Sequence, residues 1–235
     1  MDLKYQDATD ITERRAAKLL NNSGFKAKIN NLTNKTDIDL LVDNNLIDVQ
    51  FSFNFDKYGD IRFDLLSAFQ WNSGSDNKQF LYDLKCGTPL KFASENHIKE
   101  NKKYGKYFDK NNEMEGVIYF LYNGAMPKNK EEFIKKPIAS IVYIPKALIE
   151  KEILNNIKGH AKRIKINDKE TNALKESFNS AFIPISVKYL AQKYDLPMAN
   201  NKEEFLNKVS PYIKNSLNPD NKRKNNNKNL KNNKM

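Results

Sequence analysis

Residues 36–53, TDIDLLVDNNLIDVQFSF, alternate polar and apolar side chains on both sides of a central Asn-Asn pair. Alternation with a period of two is typical of β-strands, and asparagine tolerates the positive φ angles of tight hairpin turns. We therefore predict a β-hairpin with a two-residue turn at Asn44 and Asn45. In this register Asp39 lies opposite Gln50, and cross-strand partners point to the same face.

The two faces of this hairpin differ in chemistry. One face is wholly apolar and belongs to the core: Ile38, Leu40, Val42, Ile47, Val49, Phe51 and Phe53. The other face collects polar side chains: Asp37, Asp39, Asp48, Gln50 and Ser52. Carboxylates this close repel one another, and a divalent cation turns that repulsion into attraction. Hard oxygen ligands suit Mg²⁺ or Mn²⁺. The alternative is an ordinary hairpin with one solvated face.

The rest of the chain predicts an α/β domain. Two continuous apolar runs, 116–122 and 138–144, have the β-branched and aromatic composition of buried strands. Helical patterns cover residues 9–22, 146–156, 168–178 and 201–217, and a short strand followed by a small helix covers 182–194. Strands and helices in this order favour a central mixed β-sheet flanked by helices.

Composition limits the class of protein. The chain has 235 residues, 39% of them hydrophobic and 11% aromatic, which suits one domain or one domain with a small appendage. No apolar run spans a bilayer, so we expect no membrane partner, and MDLKYQDATD lacks the pattern of a secretion signal. Cys86 is the only cysteine and forms no internal disulfide. These features favour a cytoplasmic setting.

Positive charge is concentrated at one end of the chain. The formal net charge is +11, and residues 221–235 hold six Lys/Arg and no acidic residue. A basic body with a basic tail suits a polyanionic partner, most often nucleic acid. The alternative for the tail is a segment that only adds solubility. Its Lys- and Asn-rich composition predicts disorder over 218–235.

One carboxylate of the first predicted helix, residues 9–22, is out of place on a helical wheel. An apolar arc contains Ala8, Ile11, Ala16, Ala17, Leu19 and Leu20. Arg14, Arg15 and Lys18 make the opposite face, but Glu13 lies inside the edge of the apolar arc. An inward carboxylate needs a partner, either a basic side chain or a metal ion held together with the acidic face of the hairpin.

At these residues the chain resembles the PD-(D/E)XK nuclease superfamily. Glu13 would be the helix carboxylate of that pattern. Asp39, with Asp37 as an alternative, would be the aspartate of the first strand, and Asp48-Val49-Gln50 would be the D-x-K position. The resemblance covers residues 9–53, and the later strands and helix fit the expected completion of the sheet.

The resemblance implies a restriction-endonuclease-like core and a metal-dependent endonuclease that hydrolyses DNA phosphodiester bonds. The core would span 1–160, with a recognition segment inserted around 54–115 and a C-terminal part, 161–217, packed on it. Asp39, Asp48 and Glu13 would hold Mg²⁺ or Mn²⁺, and Gln50 would position the attacking water. Many such enzymes act as homodimers, so we expect DNA and a second copy of the chain as partners.

The lysine of the motif is replaced by Gln50, which hydrogen-bonds water but carries no charge. Lys26 or Lys28 on the neighbouring strand is a candidate substitute. The replacement leaves a second hypothesis open, a non-catalytic nucleic-acid-binding protein on a degenerate nuclease fold. A third is an interaction module whose hairpin has a polar face, for which Asp39→Ala is tolerated or stabilising.

Further residues are candidates for contact with nucleic acid. The segment 99–110 interleaves lysines with aromatic residues, a composition that suits phosphate contacts and base stacking. Its candidate residues are Lys102, Lys103, Tyr104 and Lys106. Arg62 follows the presumed active strand and is a candidate for the same role. The alternatives are a solvated loop with buried aromatic rings for the segment, and a structural pair with Asp64 for Arg62.

Overall fold

The structure is a computed structural model that describes residues 3–30, 38–70, 86, 113–154, 159, 165–171 and 176–218. The chain divides into two compact units. The first unit comprises residues 1–59, 114–145 and 190–235, and the second comprises 60–113 and 146–189. Most of the segment 54–115, predicted to be an insertion, therefore belongs to the second unit.

A six-stranded mixed sheet forms the centre of the first unit. Its strands are β1 (Ala27–Ile29), β2 (Leu40–Val42), β3 (Asn45–Ser52), β5 (Met114–Leu121), β6 (Ser140–Pro145) and β9 (Met198–Ala199). They lie in the order β1-β2-β3-β5-β6-β9. Only β3 and β5 are parallel within this sheet, and the other neighbours are antiparallel. The prediction of a mixed sheet flanked by helices is confirmed.

The first helix, α1 (Tyr5–Asn22), begins four residues earlier than predicted. Its first turn is stabilised because the backbone N–H of Lys4 donates to the Asp7 carboxylate at 3.2 Å. Its end is fixed by Gly24, which adopts a φ of +85°. The buried side chains recur every fourth residue: Ala8, Thr12, Ala16 and Leu20. This stripe faces the sheet.

One hydrophobic cluster joins α1, the sheet and the C-terminal helix. That helix, α6, consists of three consecutive stretches: Lys202–Glu204, a π-helical Phe205–Val209 and Ser210–Leu217. The cluster takes the apolar face of the hairpin together with residues of α6 and the central strands, among them Leu40, Val42, Ile47, Val49, Ile118, Phe120, Phe205 and Ile213. The apolar face predicted for the hairpin is therefore core.

Shorter helices complete the described chain. They are α2 (Phe55–Tyr58), α3 (Lys130–Lys135), α4 (Lys146–Ile149) with a following π-helical turn (Glu150–Leu154), and α5 (Val187–Tyr194). No helix among the described residues has both the length and the apolar character needed to cross a bilayer.

The second unit contains a three-stranded antiparallel sheet in the order β4-β8-β7. Its strands are β4 (Asp60–Gln70), β7 (Lys165–Thr171) and β8 (Glu176–Ser186). The helix predicted over 168–178 is wrong, because this segment contributes to β7 and β8. Its Lys, Glu and Ala residues favour a helix locally, but pairing between β7 and β8, and of β8 with the distant β4, overrides that preference.

Candidate functional site

The hairpin turn lies one residue earlier than predicted. Asp43 and Asn44 adopt positive φ angles of 47° and 67°, and Val42 pairs with Asn45. The predicted turn at Asn44 and Asn45 is therefore wrong, because Asp and Asn both tolerate this conformation and the sequence Asp-Asn-Asn allows either choice. The correction shifts the pairing by two residues and so leaves every side chain on its predicted face.

The corrected register brings Asp39 opposite Asp48. Leu40 pairs with Ile47, so the next position along β2 and β3 joins the two aspartates. The Asp39 carboxylate accepts a hydrogen bond from the backbone N–H of Val49 at 2.7 Å. Asp39 and Asp48 therefore lie one position beyond the last β2–β3 pair, in the register that puts them opposite each other, whereas the sequence analysis predicted Gln50 opposite Asp39.

The strands separate at this rung. Continued pairing would bring Ile38 opposite Val49, but the N–H of Val49 donates to the Asp39 side chain instead. The carbonyl oxygen of Ile38 accepts from the Asn30 side chain at 3.1 Å, and the N–H of Asn30 donates to the Asp39 carbonyl at 2.8 Å. Here β2 stays paired with β1 and leaves β3. The Asp39 carboxylate takes the place of the Ile38 carbonyl as the acceptor of the Val49 N–H.

Burial differs along the polar face. Asp48 is fully buried, whereas Asp39 and Gln50 are partly exposed. On β5, Val117 pairs with Asp48 and Tyr119 pairs with Gln50, and both are buried. The polar stripe therefore lies at the edge of a buried apolar surface. A carboxylate flanked by partly exposed polar residues in such a place can bind a cation or polarise a ligand.

Glu13 does not lie on the polar face of the hairpin. It lies on α1, next to the buried Thr12 and Ala16, and is itself partly exposed. Since α1 packs on the apolar face of the hairpin, alternation puts Glu13 on the side of the sheet opposite to Asp48. Within the described parts of the chain, no group of three or more acidic, His or Cys side chains is placed to hold one metal ion. Asp37 lies outside those parts.

Of the residues predicted to contact nucleic acid, Arg62 is the one that falls among the described residues. Lys102, Lys103, Tyr104 and Lys106 fall outside the described residues. Arg62 lies on β4 in the second unit, is exposed, and holds its guanidinium 4.9 Å from the centre of the Phe182 ring. This cation–π contact orients the side chain while it stays accessible to solvent.

Arg15 has a role that the sequence did not indicate. Its guanidinium donates to the Tyr122 hydroxyl at 2.9 Å and to the backbone carbonyls of Phe133 and Ile134 at the end of α3. Burial raises the pKa of Tyr122, and the nearby Arg15 opposes that rise. Arg15 therefore ties α1 to the last carbonyl groups of α3. The sequence pattern does not reveal this role, because Arg15 lies on the same polar face of α1 as the exposed Arg14 and Lys18. Its contacts with residues distant in sequence reveal it.

Comparison of the chain with family models, with curated proteins and with solved structures gives no match. The polar stripe of Asp39, Asp48 and Gln50 is the strongest candidate site in the first unit, because a charged pair, strand separation and partial exposure coincide there.

Proposed function

We propose that the protein is a metal-dependent endonuclease that hydrolyses DNA phosphodiester bonds, with its site on the polar face of the β2–β3 hairpin. The observation that supports it is the hydrogen bond from the Val49 N–H to the Asp39 carboxylate, which holds Asp39 beside β3 one position beyond the Leu40–Ile47 pair, where the register puts it opposite Asp48. Two carboxylates at neighbouring positions repel each other, and a divalent cation bound by both turns that repulsion into attraction. The resemblance of residues 9–53 to the PD-(D/E)XK pattern agrees with this proposal.

The donor set fits Mg²⁺ or Mn²⁺. Mg²⁺ is usually held by one or two carboxylates and keeps several of its waters, so Asp39 and Asp48 suffice as its protein ligands. When bound there, the ion would polarise a phosphate oxygen and lower the pKa of a bound water. Gln50, two residues beyond Asp48 on the same face, would orient the attacking water through its amide. Glu13 packs with α1 against the other side of the sheet, so this ligand set consists of Asp39 and Asp48 alone.

A second candidate is a non-catalytic nucleic-acid-binding protein. Two observations favour it: Gln50 brings no positive charge, and Asp48 is fully buried. A binding protein on this fold would use its basic residues for contacts with the phosphate backbone and would not need a metal at the hairpin.

Cleavage of supercoiled plasmid and of branched and linear DNA, with Mg²⁺, Mn²⁺ or EDTA, tests the proposal. The variants are Asp48→Asn and Asp39→Asn, which keep the shape of each side chain. Asp10→Asn is the matched control, because Asp10 is an exposed aspartate of α1 whose partner is Gln6. We expect metal-dependent cutting by the wild type and by Asp10→Asn, and loss of cutting in the two site variants.

Each outcome separates the candidates. Cutting that survives in both site variants excludes the hairpin as the active site. No cutting by the wild type, with DNA binding that neither metal nor Asp48→Asn changes, favours the binding protein. Direct conversion of supercoiled plasmid to linear product would indicate two cooperating sites and hence a homodimer, whereas accumulation of nicked circles would indicate one.

A further inference from the structure

Lys28 lies on the same face of the sheet as the two aspartates. It pairs with Leu41 across β1 and β2, and Leu41 pairs with Leu46 across β2 and β3. Since side chains alternate along each strand, Asp39 shares the face of Leu41, and Asp48 shares the face of Leu46. The register therefore brings an ammonium group and two carboxylates to one surface, from three adjacent strands.

The spacing puts Asp39 within reach of Lys28. In the β1–β2 pairing the partner of Asp39 is Asn30, whose N–H donates to the Asp39 carbonyl at 2.8 Å, and Lys28 is the diagonal neighbour. Diagonal neighbours in an antiparallel pair lie about 7–8 Å apart, a separation that long side chains bridge. A phosphate bound at Asp39 and Asp48 would therefore be accessible to the Lys28 ammonium.

The ammonium of Lys28 is not engaged elsewhere. Lys28 is exposed, and no hydrogen bond or ion pair of its side chain occurs in the described structure. Asp39 and Asp48 have interactions of their own with groups other than the Lys28 side chain, so neither forms a salt bridge with Lys28. The Lys28 ammonium group is therefore available to contact a ligand bound at Asp39 and Asp48.

We propose that Lys28 contacts the scissile phosphate and supplies the positive charge that Gln50 lacks. This inference rests on the proposed nuclease function. In the hydrolysis, a water oxygen bonds to phosphorus and the bond from phosphorus to the leaving oxygen breaks. The water loses one proton to solvent, and the leaving oxygen takes one up to become a hydroxyl. Lys28 transfers no proton; it stabilises the negative charge on the non-bridging oxygens.

Lys26 offers a comparison within the same strand region. Lys26 is two residues from Lys28, so it points to the same face, and it is also exposed. It lies beside the turn between β2 and β3. Its N–H donates to the Asp43 carboxylate at 2.8 Å, and its carbonyl accepts from the Asp43 N–H at 3.1 Å. Asp43 is four residues from Asp39, about 13 Å along an extended strand. Lys26 shares the charge and exposure of Lys28 but lies beside Asp43, out of reach of the Asp39 and Asp48 carboxylates.

The test compares Lys28→Gln, Lys28→Arg and Lys26→Gln in the full chain. Single-turnover cleavage with Mg²⁺ gives the rate of the chemical step, and binding of an uncleaved oligonucleotide with Ca²⁺ gives affinity. We expect Lys28→Gln to slow cleavage about 10²–10³-fold, the usual effect of removing one group that stabilises transition-state charge, while its affinity changes only a few-fold. Lys28→Arg should recover most of the rate, and Lys26→Gln should cleave like the wild type.

Three results would overturn the inference. If Lys28→Gln cleaves like the wild type while Asp48→Asn is inactive, the nuclease stands and Lys28 has no part in it. If Lys26→Gln and Lys28→Gln lose rate and affinity equally, both lysines act through general attraction to DNA. If the wild type itself cleaves nothing, the proposed function fails and takes the role of Lys28 with it.

Discussion

Truncation of Asp39 to alanine measures whether the paired carboxylates stabilise or strain the hairpin. Asp39→Ala removes the acceptor of the Val49 N–H, which the Asp39 carboxylate holds at 2.7 Å. It also removes the repulsion between Asp39 and Asp48 across one rung. The two effects have opposite signs, so their magnitudes decide the outcome.

The lost hydrogen bond is the larger effect. A hydrogen bond to a charged group contributes about 1.5–3 kcal/mol, and Val49 is buried, so its N–H would lose its acceptor in a place with little access to water. Two charges about 4–5 Å apart repel by about 1 kcal/mol in water and by about 4 kcal/mol at the effective dielectric constant of a protein surface. Asp39 is partly exposed, so solvent screening keeps the repulsion near the lower figure. We therefore expect Asp39→Ala to lower the free energy of unfolding by about 1–2 kcal/mol, or Tm by about 2–8 °C for a chain of this size. Asp39→Asn keeps an acceptor oxygen and should be close to neutral.

Calorimetric unfolding with EDTA and with Mg²⁺ tests both the hydrogen bond and the metal. At a Mg²⁺ concentration about ten times Kd, an ion that binds only the folded state adds about 1.4 kcal/mol. The wild type and Asp10→Ala should gain this increment, while Asp39→Ala and Asp39→Asn should gain little of it. The assay needs no substrate, so it tests the metal site separately from cleavage.

Two results would refute the reasoning. A rise in Tm for Asp39→Ala in EDTA would mean that repulsion exceeds the hydrogen bond, which is the outcome expected of an interaction module with a polar hairpin face. An equal Mg²⁺ effect on the wild type and on both Asp39 variants would mean that the ion binds somewhere else in the chain.

Three further changes test other parts of the structure. Gln50→Lys puts an ammonium on the face of Asp48 and should raise the initial rate of plasmid cleavage about tenfold or more; an unchanged rate would mean that charge at this position is not limiting. Ser140→Ala removes a buried hydroxyl that has no hydrogen-bond partner among the described residues, and should raise the free energy of unfolding by about 1 kcal/mol; an unchanged Tm would indicate a bound water. Burial raises the pKa of Tyr143, so the unfolded chain ionises first, near pH 10, and stability falls as the pH rises above that value. Tyr143→Phe should lessen this loss between pH 10 and 11 in denaturant titrations, and an equal loss would assign it to other groups.

The faces of the hairpin could be predicted from the sequence, but its register could not. Alternation assigns each side chain to a face whether the turn lies at Asp43-Asn44 or at Asn44-Asn45, because the two registers differ by an even number of residues. The choice between them decides whether Asp39 meets Asp48 or Gln50. Pairing of β1 with β2 and of β3 with β5 fixes that choice, and neither pairing is visible in the local pattern.

Long-range pairing also explains the other differences. Lys28 and Lys26 are equivalent in the sequence pattern, and they are distinguished by their partners across the strands, which are Leu41 for Lys28 and Asp43 for Lys26. Tyr119 lies in a continuous apolar run that predicts a buried strand, and the parallel register with β3 is what puts it beside Gln50. Propensity and periodicity describe one element at a time, whereas a site on three strands depends on how those elements pair.

The distribution of charge bears on how such a nuclease would hold DNA. Without residues 221–235, the first unit has sixteen Lys/Arg and sixteen Asp/Glu, whereas the second unit has eighteen and thirteen. Carboxylates that hold a metal also repel the phosphate backbone, so affinity has to come from basic residues elsewhere in the chain. The second unit and residues 221–235 carry that excess. In an electrically neutral first unit, a lysine on the face of the carboxylates is not part of a general basic surface, and its effect should be on the chemical step rather than on binding.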